Sequence, residues 1–464
     1  MATICTVLKF QRQVSCLLIT SFVLYFEALS VSATAETLNQ SLSYAYHHNP
    51  KLDAERARLQ STGETVNQAF SNYRPDLRFE ASATAKSLQS EIDQLGSANI
   101  IKGSTYSADY RLTLNQQIFR GFRTQNAVSK AEANVLAGRE MLRATEQTVL
   151  FNAVKAFIDV FRDTAILKLR KNDIRILTKD LKATKDRFLA GEVTNTDIAQ
   201  SRARRARAIS NFELAKANLK SSRASYIKVV GYPPRILKSP QSPNTLLPKT
   251  IVEVQKNAET KNPKVLAAFY NEQVAFYNTK EIFGERLPTF NIQAQYSVNH
   301  TVDEFQTKNR DRTGAISGLL TVPIYQRGII GSRMRQAKHQ HVQSMRLLQE
   351  ARNEARESAM TAWAKLSASR AQLVSTTAQV HANRLALSGV REEEKVGQRT
   401  LLDVLDAEQE LLNSQVSLIS NRRDLIFHAY AVVSAMGRLT AKKLKLTSYI
   451  NGKKEYHANS NNSR

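Results

Sequence analysis

The chain says the same thing twice, and that repetition limits the folds open to it. RFLAGEVTNTD ends at Asp197, and EEKVGQRTLLD ends 206 positions later at Asp403. Gly231 and Gly437 keep the same offset, as do Phe119 and Tyr325. Upstream the offset is 213: HHNPKLDAE, with Pro50, recurs as TKNPKVLAA, with Pro263, and Pro75 recurs as Pro288. The seven-residue difference therefore lies between Pro75 and Phe119, where a longer loop is expected in the first half. A unit of about 200 residues is too long for a solenoid repeat, so two pseudo-equivalent halves of one architecture are expected.

Proline and glycine set the lengths of the elements. No proline occurs between 76 and 232 or after 323, residues 332–388 contain neither Gly nor Pro, and residues 122–190 contain only Gly138 and no proline. Each stretch permits a helix on the order of 85–100 Å at ~1.5 Å per residue. Ala355, Ala359, Ala362, Leu366, Ser369, Leu373, Thr376 and Val380 step by four and three, the heptad pattern of a left-handed supercoil. Leu150, Val154, Ile158, Phe161 and Ala165 form a comparable stripe. Shorter helical patterns at 37–72 and 194–230, repeated at 251–285 and 400–437, are expected to stack end to end beside the long ones.

The first 35 residues read as a secretory signal. Lys9 and Arg12 precede an apolar run from Val14 to Phe26, and Ala33-Thr34-Ala35 offers small residues before Glu36. Both cysteines, Cys5 and Cys16, fall inside this leader, which excludes disulfide and thiol chemistry from a mature chain. No later stretch reaches the ~20 apolar residues of a membrane helix. The net charge is +25, and removing Lys9, Arg12 and Glu27 with the leader leaves +24. In a cytosolic protein such a charge points to nucleic acid; export and the lack of aromatic–basic clusters argue against that partner here.

Four segments alternate strictly between apolar and polar residues. They run near 77–86, 105–118, 289–299 and, more weakly, 314–325. Segments of ~9–11 residues with period two carry the pattern of a transmembrane β-barrel strand. Four strands cannot close a barrel, and an open edge in lipid leaves backbone groups unsatisfied. Copies of the chain must then share one barrel, and three copies make twelve strands. The polar segments 86–105 and 300–313 are expected to be outward loops. The resulting division is a signal peptide at 1–35, a first repeat at 36–231, a Pro-rich linker at 232–250, a second repeat at 251–440 and a basic disordered tail at 441–464.

These features, the NP near the start of each half and VGQRTLLDVLDAEQELLNSQ together resemble the TolC family of outer-membrane efflux and type I secretion channels. The resemblance spans nearly all of residues 36–440, with GQRTLLDVLDA the strongest local match. It implies a mainly α fold with membrane β: a homotrimeric twelve-stranded barrel continued by a long periplasmic α-helical tunnel. It also implies outer-membrane lipid around the barrel, a periplasmic adaptor, and an inner-membrane pump of the RND or ABC type that opens the tunnel tip. At that tip it places Asp197, Thr196 and Arg399 as a charged latch, with Glu394 standing where a tyrosine is expected.

Asp403 and Asp406, three apart on one helix face, would form a ring of six carboxylates under threefold symmetry. The resemblance makes that ring a cation-selective constriction, and mutual repulsion would raise its carboxyl pKa values. A helix N-terminal turn also favours acidic residues for its own sake.

No catalytic constellation emerges. His339 and His341 sit two apart and point to different helix faces, and there is no phosphate loop, GxSxG or HExxH. An enzyme, a resident metal and a cofactor are therefore not expected, and energy for transport must come from partners. The rival readings are a periplasmic coiled-coil adaptor and an exported basic protein that binds an anionic polymer.

Overall fold

The computed structural model describes residues 35–94, 97–302 and 308–446. The leader and the last eighteen positions of the expected tail, 447–464, lie outside them. Each half contributes a short helix, a second helix, a β-hairpin, a very long helix and a final helix. In the first half these are α1 (Leu38–His48), α2 (Pro50–Ser71), β1 (Asp76–Gln94), β2 (Ser97–Arg120), α3 (Arg123–Leu189) and α4 (Asn195–Val230). The second half repeats them as α5 (Ile251–Lys261), α6 (Pro263–Phe283), β3 (Thr289–Val302), β4 (Lys308–Thr321), α7 (Ile329–Lys395) and α8 (Leu401–Ala435). Helices α3 and α7 are each 67 residues long, roughly 100 Å.

The single helix expected over 37–72 is two helices. Asn49 ends α1, its N–H bonding the carbonyl of Ala45 at 3.1 Å, and begins α2 by accepting from the N–H of Lys51 at 3.1 Å. Pro50 forces the break, because it cannot donate and holds the preceding residue in the extended region, here φ −80°, ψ 119°. Asn262 and Pro263 do the same between α5 and α6. It is therefore α2 that stacks on the end of α4, and α6 on the end of α8, while α1 and α5 pack beside the stacks.

The strands form one antiparallel sheet in the order β1-β2-β3-β4. Its register puts like with like across all four strands. One face carries the rows Leu77–Leu114–Ala294–Ile316 and Phe79–Leu112–Tyr296–Gly314; the other carries Glu80–Arg111–Ser297–Thr313 and Ser82–Asp109–Asn299–Asp311. Leu77, Phe79, Ile316 and Leu320 are exposed in the single chain. That is the arrangement of a sheet whose apolar side meets lipid rather than a protein core. β1 and β4 are the edges, each free to pair on one side.

The extra seven residues are not a loop. β1 and β2 remain paired from Asp76↔Asn115 to Gln94↔Ser97, so most of 86–105 continues the ladder as a two-stranded ribbon above Tyr106, where β3 ends. Polar composition did not stop this pairing, because the ladder is made by backbone groups and no proline interrupts it. The second hairpin also runs further than expected, leaving only 303–307 outside the described residues. β4 stops at Thr321 rather than 325: Pro323 has no N–H for the ladder.

Two apolar clusters sit where the halves meet. In the first, Leu42, Leu150, Val154, Phe157, Tyr226 and Val433 are closed over by Leu439 and Leu446. Residues 441–446 therefore belong to the folded body and not to a disordered tail: Ala441 and Leu446 are buried, and Ser43 Oγ donates to the carbonyl of Leu446 at 3.1 Å. The second cluster packs Val254, Val265, Ala359, Leu366 and Met436. The strap at 232–250 lies across this belt. Its Tyr232 hydroxyl and Arg235 N–H reach the buried carboxylate of Glu36, which also accepts from Tyr226 at 2.5 Å and Ser41 at 2.6 Å. Below the belt, α3–α4 and α7–α8 run as two antiparallel coiled-coil hairpins. The heptad residues Ala355, Ala359, Ala362, Leu366, Ser369, Thr376 and Val380 are all buried along the second. Among the described residues no helix is long and apolar enough to cross a membrane.

Candidate functional site

The far ends of the two hairpins are copies of one another. Each long helix ends, a glycine takes positive φ (Gly191 at 82°, Gly397 at 77°), and a threonine caps the returning helix. The positive φ explains why glycine recurs at this point of the repeat. Thr194 and Asp197 form a capping box: Asp197 N–H donates to Thr194 Oγ1 at 3.4 Å, and Asp197 Oδ2 accepts from Thr194 N–H at 2.8 Å. Thr400 and Asp403 repeat it at 3.3 and 2.9 Å. The TNTD and RTLLD sequences thus encode helix starts before they encode anything else.

This occupies two of the five candidate residues. Asp197 Oδ2 bonds the N–H and hydroxyl of Thr194, and within the chain Asp197 makes no ion pair with Arg399. Arg399 instead holds Glu393 at 3.0 Å, and Thr196 is exposed. Asp403 Oδ2 accepts from Thr400 N–H and hydroxyl at 2.9 and 2.7 Å. The backbone N–H and then the hydroxyl of Thr400, with the Arg399 charge, hold the Asp403 carboxyl below its usual range. Within one protomer the shift is thus opposite to the one expected of a repelling ring. Asp406 is paired with Arg204 of α4, which leaves Asp403 and Asp406 in different electrostatic settings.

The structure gives Glu394 a partner and brings together further charges that the sequence reading did not single out. Glu394 of α7 accepts from Arg187 of α3 at 2.6 Å, and Arg187 also donates to Glu192 at 3.1 Å, tying the two tips of one protomer together. Arg391 and Glu408 pair within the second hairpin. Glu408 in turn faces Asp180 of α3, whose carboxyl is pushed up to about 6 by burial and by the Glu408 charge, against the pull of Arg391. One buried oxygen on each of Asp180 and Glu408 has no hydrogen-bond partner. A signal for these contacts was present in the repeat: at offset 206, Arg187 aligns with Glu393, Arg202 with Glu408 and Arg204 with Glu410. The first hairpin's tip is basic where the second's is acidic, so the two attract.

Among the described residues no group of three or more His, Cys, Asp or Glu is arranged to hold a metal. The site is a set of ion pairs, helix caps and turn glycines at the end of a long coiled coil. Such a site can hold two helix hairpins together and release them.

Residues 41–231 and 254–438 match the family model of outer membrane efflux proteins. The chain belongs to that family. Outer membrane efflux protein BepC of Brucella suis is 35% identical over 421 residues, covering 89% of this chain and 88% of BepC. Outer membrane protein TolC of Escherichia coli K12 is 24% identical over 434 residues, 91% of this chain and 86% of TolC. The fold is shared with the outer membrane protein VceC of Vibrio cholerae, at a TM-score of 0.72 and 19% identity over 86% of this chain and 96% of VceC. The protein is accordingly an outer-membrane channel whose helices extend into the periplasm. Its four-stranded sheet is one third of a twelve-stranded trimeric barrel, and the two hairpins are one third of the tunnel below it.

Proposed function

We propose that this channel is the passive, gated exit duct of a tripartite assembly, opened at its tip by a periplasmic adaptor and an inner-membrane pump. The observation that carries this reading is a sheet with an apolar face and two unpaired edges, continuous with ~100 Å hairpins that end in polar contacts. Closure by two further copies satisfies the edges, and the polar tip gives a partner something to break. The chain supplies no chemistry of its own in this reading; the pump supplies the energy. Its exported substrates are small molecules, proteins or both. A mature chain starting at Glu36, two repeats and an equatorial strap at 232–250 complete the proposed organisation.

The latch at Asp197, Thr196 and Arg399 is proposed between neighbouring subunits, since within the chain Asp197 caps its own helix and Arg399 holds Glu393. Asp403, with Asp406, is proposed to face the narrowest part of the lumen and to favour cations. The test is to purify the mature protein in detergent, measure its mass and insert it into planar bilayers. Trimers with a small cation-selective conductance are expected. A water-soluble monomer without conductance would overturn the reading.

A further inference from the structure

One open cavity lies away from the tip, at the seam between the two repeats. It has a volume of about 850 Å³ and sits where the end of α8 meets the start of α6 beside α3, with residues 438–443 forming one wall. Five cations line it: Arg143, Lys261, Arg438, Lys442 and Lys443. A single carboxylate, Glu146, faces them, and it accepts from the N–H of Ala441 at 2.6 Å.

We infer that this cavity is a binding site for a phosphate-class anion, held by Arg438 with Lys261, Lys442 and Lys443.

Four observations carry the inference. Arg143 has its own partner, Glu140 at 2.6 Å, but among the described residues the other four cations make no ion pair. Arg438 Nε is buried and has no acceptor, a costly state for a guanidinium N–H. The ordinary role for cations after a helix end is to bond its last carbonyls; here none of the four side chains donates to the carbonyls that end α8. The charges also act on one another: desolvation first, then Arg438, Lys261 and Arg143, push the Lys443 ammonium below its usual range. An anion seated among them would screen the repulsion and give the Arg438 guanidinium a counter-charge. Guanidinium and ammonium groups together select phosphate, which accepts from several donors at once.

The position narrows the source. Arg143 lies 20 residues along α3 from Arg123, where the helix leaves the sheet, which is roughly 30 Å below the barrel. That is beyond the headgroups of the membrane around the barrel, so free phosphate or a soluble phosphate ester is the expected occupant. The cavity is also internal to one protomer. The packing order is α2-α3-α6-α7 above the belt and α4-α3-α8-α7 below it, so the elements on both sides of the seam beside α3 belong to this chain.

The test uses the mature protein in detergent and reads its thermal midpoint against inorganic phosphate, glycerol phosphate and chloride at matched ionic strength. A saturable rise with phosphate or glycerol phosphate, absent with chloride, is expected. Arg438→Gln and the exposed Lys443→Gln should each weaken the half-saturating concentration about tenfold, the size of one lost charge-assisted contact. Lys179→Gln, on α3 far from the cavity, should leave it unchanged. Phosphate alone acting identifies a free-anion site, and glycerol phosphate acting more strongly identifies an ester. No saturable rise with either ligand, or an equal response in the Lys443→Gln variant, would overturn the inference. None of these outcomes depends on conductance, so failure here leaves the channel reading standing.

Discussion

Asn262 donates its Nδ2 to the carbonyl of Ala435 at 3.0 Å, and Asn49 makes the same contact to Val229 at 2.9 Å. Each asparagine also caps the helix that follows it, through Lys264 N–H at 2.9 Å and Lys51 N–H at 3.1 Å. One side chain thus starts the upper helix and satisfies a last carbonyl of the lower one, joining two short helices into a column beside a long one. The two asparagines are 213 apart and the two carbonyls 206 apart, so the contact bridges both registers of the repeat.

Removing this bridge should weaken the stack without touching the barrel. Asn262→Ala is expected to destabilise the protein by about 1–2 kcal/mol through loss of the cap and the carbonyl contact. Asn262→Asp keeps the capping oxygen but loses the donor and sets a negative charge near the Ala435 carbonyl, so it should fall below wild type. Urea denaturation in detergent, followed by helical circular dichroism, reads the difference. Equal midpoints for Asp and wild type would show that the Ala435 contact contributes nothing.

The backbone plan was legible because proline, glycine and the two periods are local signals. The proline-free stretches marked α3 and α7; Pro50, Pro263 and Pro323 stand at the two helix breaks and the end of β4, but the reading ran its elements across all three. The tip was legible only as far as its helix caps. Thr194–Asp197 and Thr400–Asp403 are local pairs three apart, whereas Arg187–Glu394 joins residues 207 apart on different hairpins. No spacing rule finds such a pair; only the swap of charge between equivalent repeat positions announces it. Residues 441–446 were misread for a related reason. A run of lysines looks solvated, yet Leu439, Ala441 and Leu446 alternate with those lysines and fill the belt core.

The Arg187–Glu394 pair should set how firmly the two hairpins of a protomer are held together. Its side chains are 41% and 16% exposed, so a contribution below about 1 kcal/mol per subunit is expected. Arg187→Glu should raise channel conductance, because it sets a carboxylate against both Glu394 and Glu192 at the tip. The double variant Arg187→Glu with Glu394→Arg should restore the wild-type value. A double variant as conductive as the single one would remove the pair from the gate.

Arg399 is held by Glu393 at 3.0 Å in its own turn, at a site 53% exposed. If it also reaches a neighbouring subunit, Arg399→Ser loosens the closed ring. The expected outcome is a higher single-channel conductance in planar bilayers, with trimer stability in detergent unchanged. Glu393→Gln should have a smaller effect, since it frees Arg399 rather than removing it. Unchanged conductance in the Ser variant would exclude Arg399 from the latch.

Asp180 makes the hairpin interface sensitive to pH. Burial, with the Glu408 charge added, raises its carboxyl from the ordinary 3.8 to about 6, against the pull of Arg391. A folded-state value above the unfolded one means that folding favours the protonated form. The contribution of Asp180 to the packing of α3 on α8 is therefore most favourable below pH 3.8, falls as pH rises from 3.8 to about 6, and carries the full desolvation and repulsion cost above that. Asp180→Asn removes the ionisation while keeping the shape, so its thermal midpoint should exceed wild type at pH 7.5 and converge with it towards pH 4.5. Comparing the two proteins at each pH cancels the titration of carboxylates that do not interact with Asp180, leaving Asp180 and its coupling to Glu408. Parallel curves for wild type and variant would show that Asp180 titrates as an ordinary surface carboxylate and that the interface holds no such charge strain.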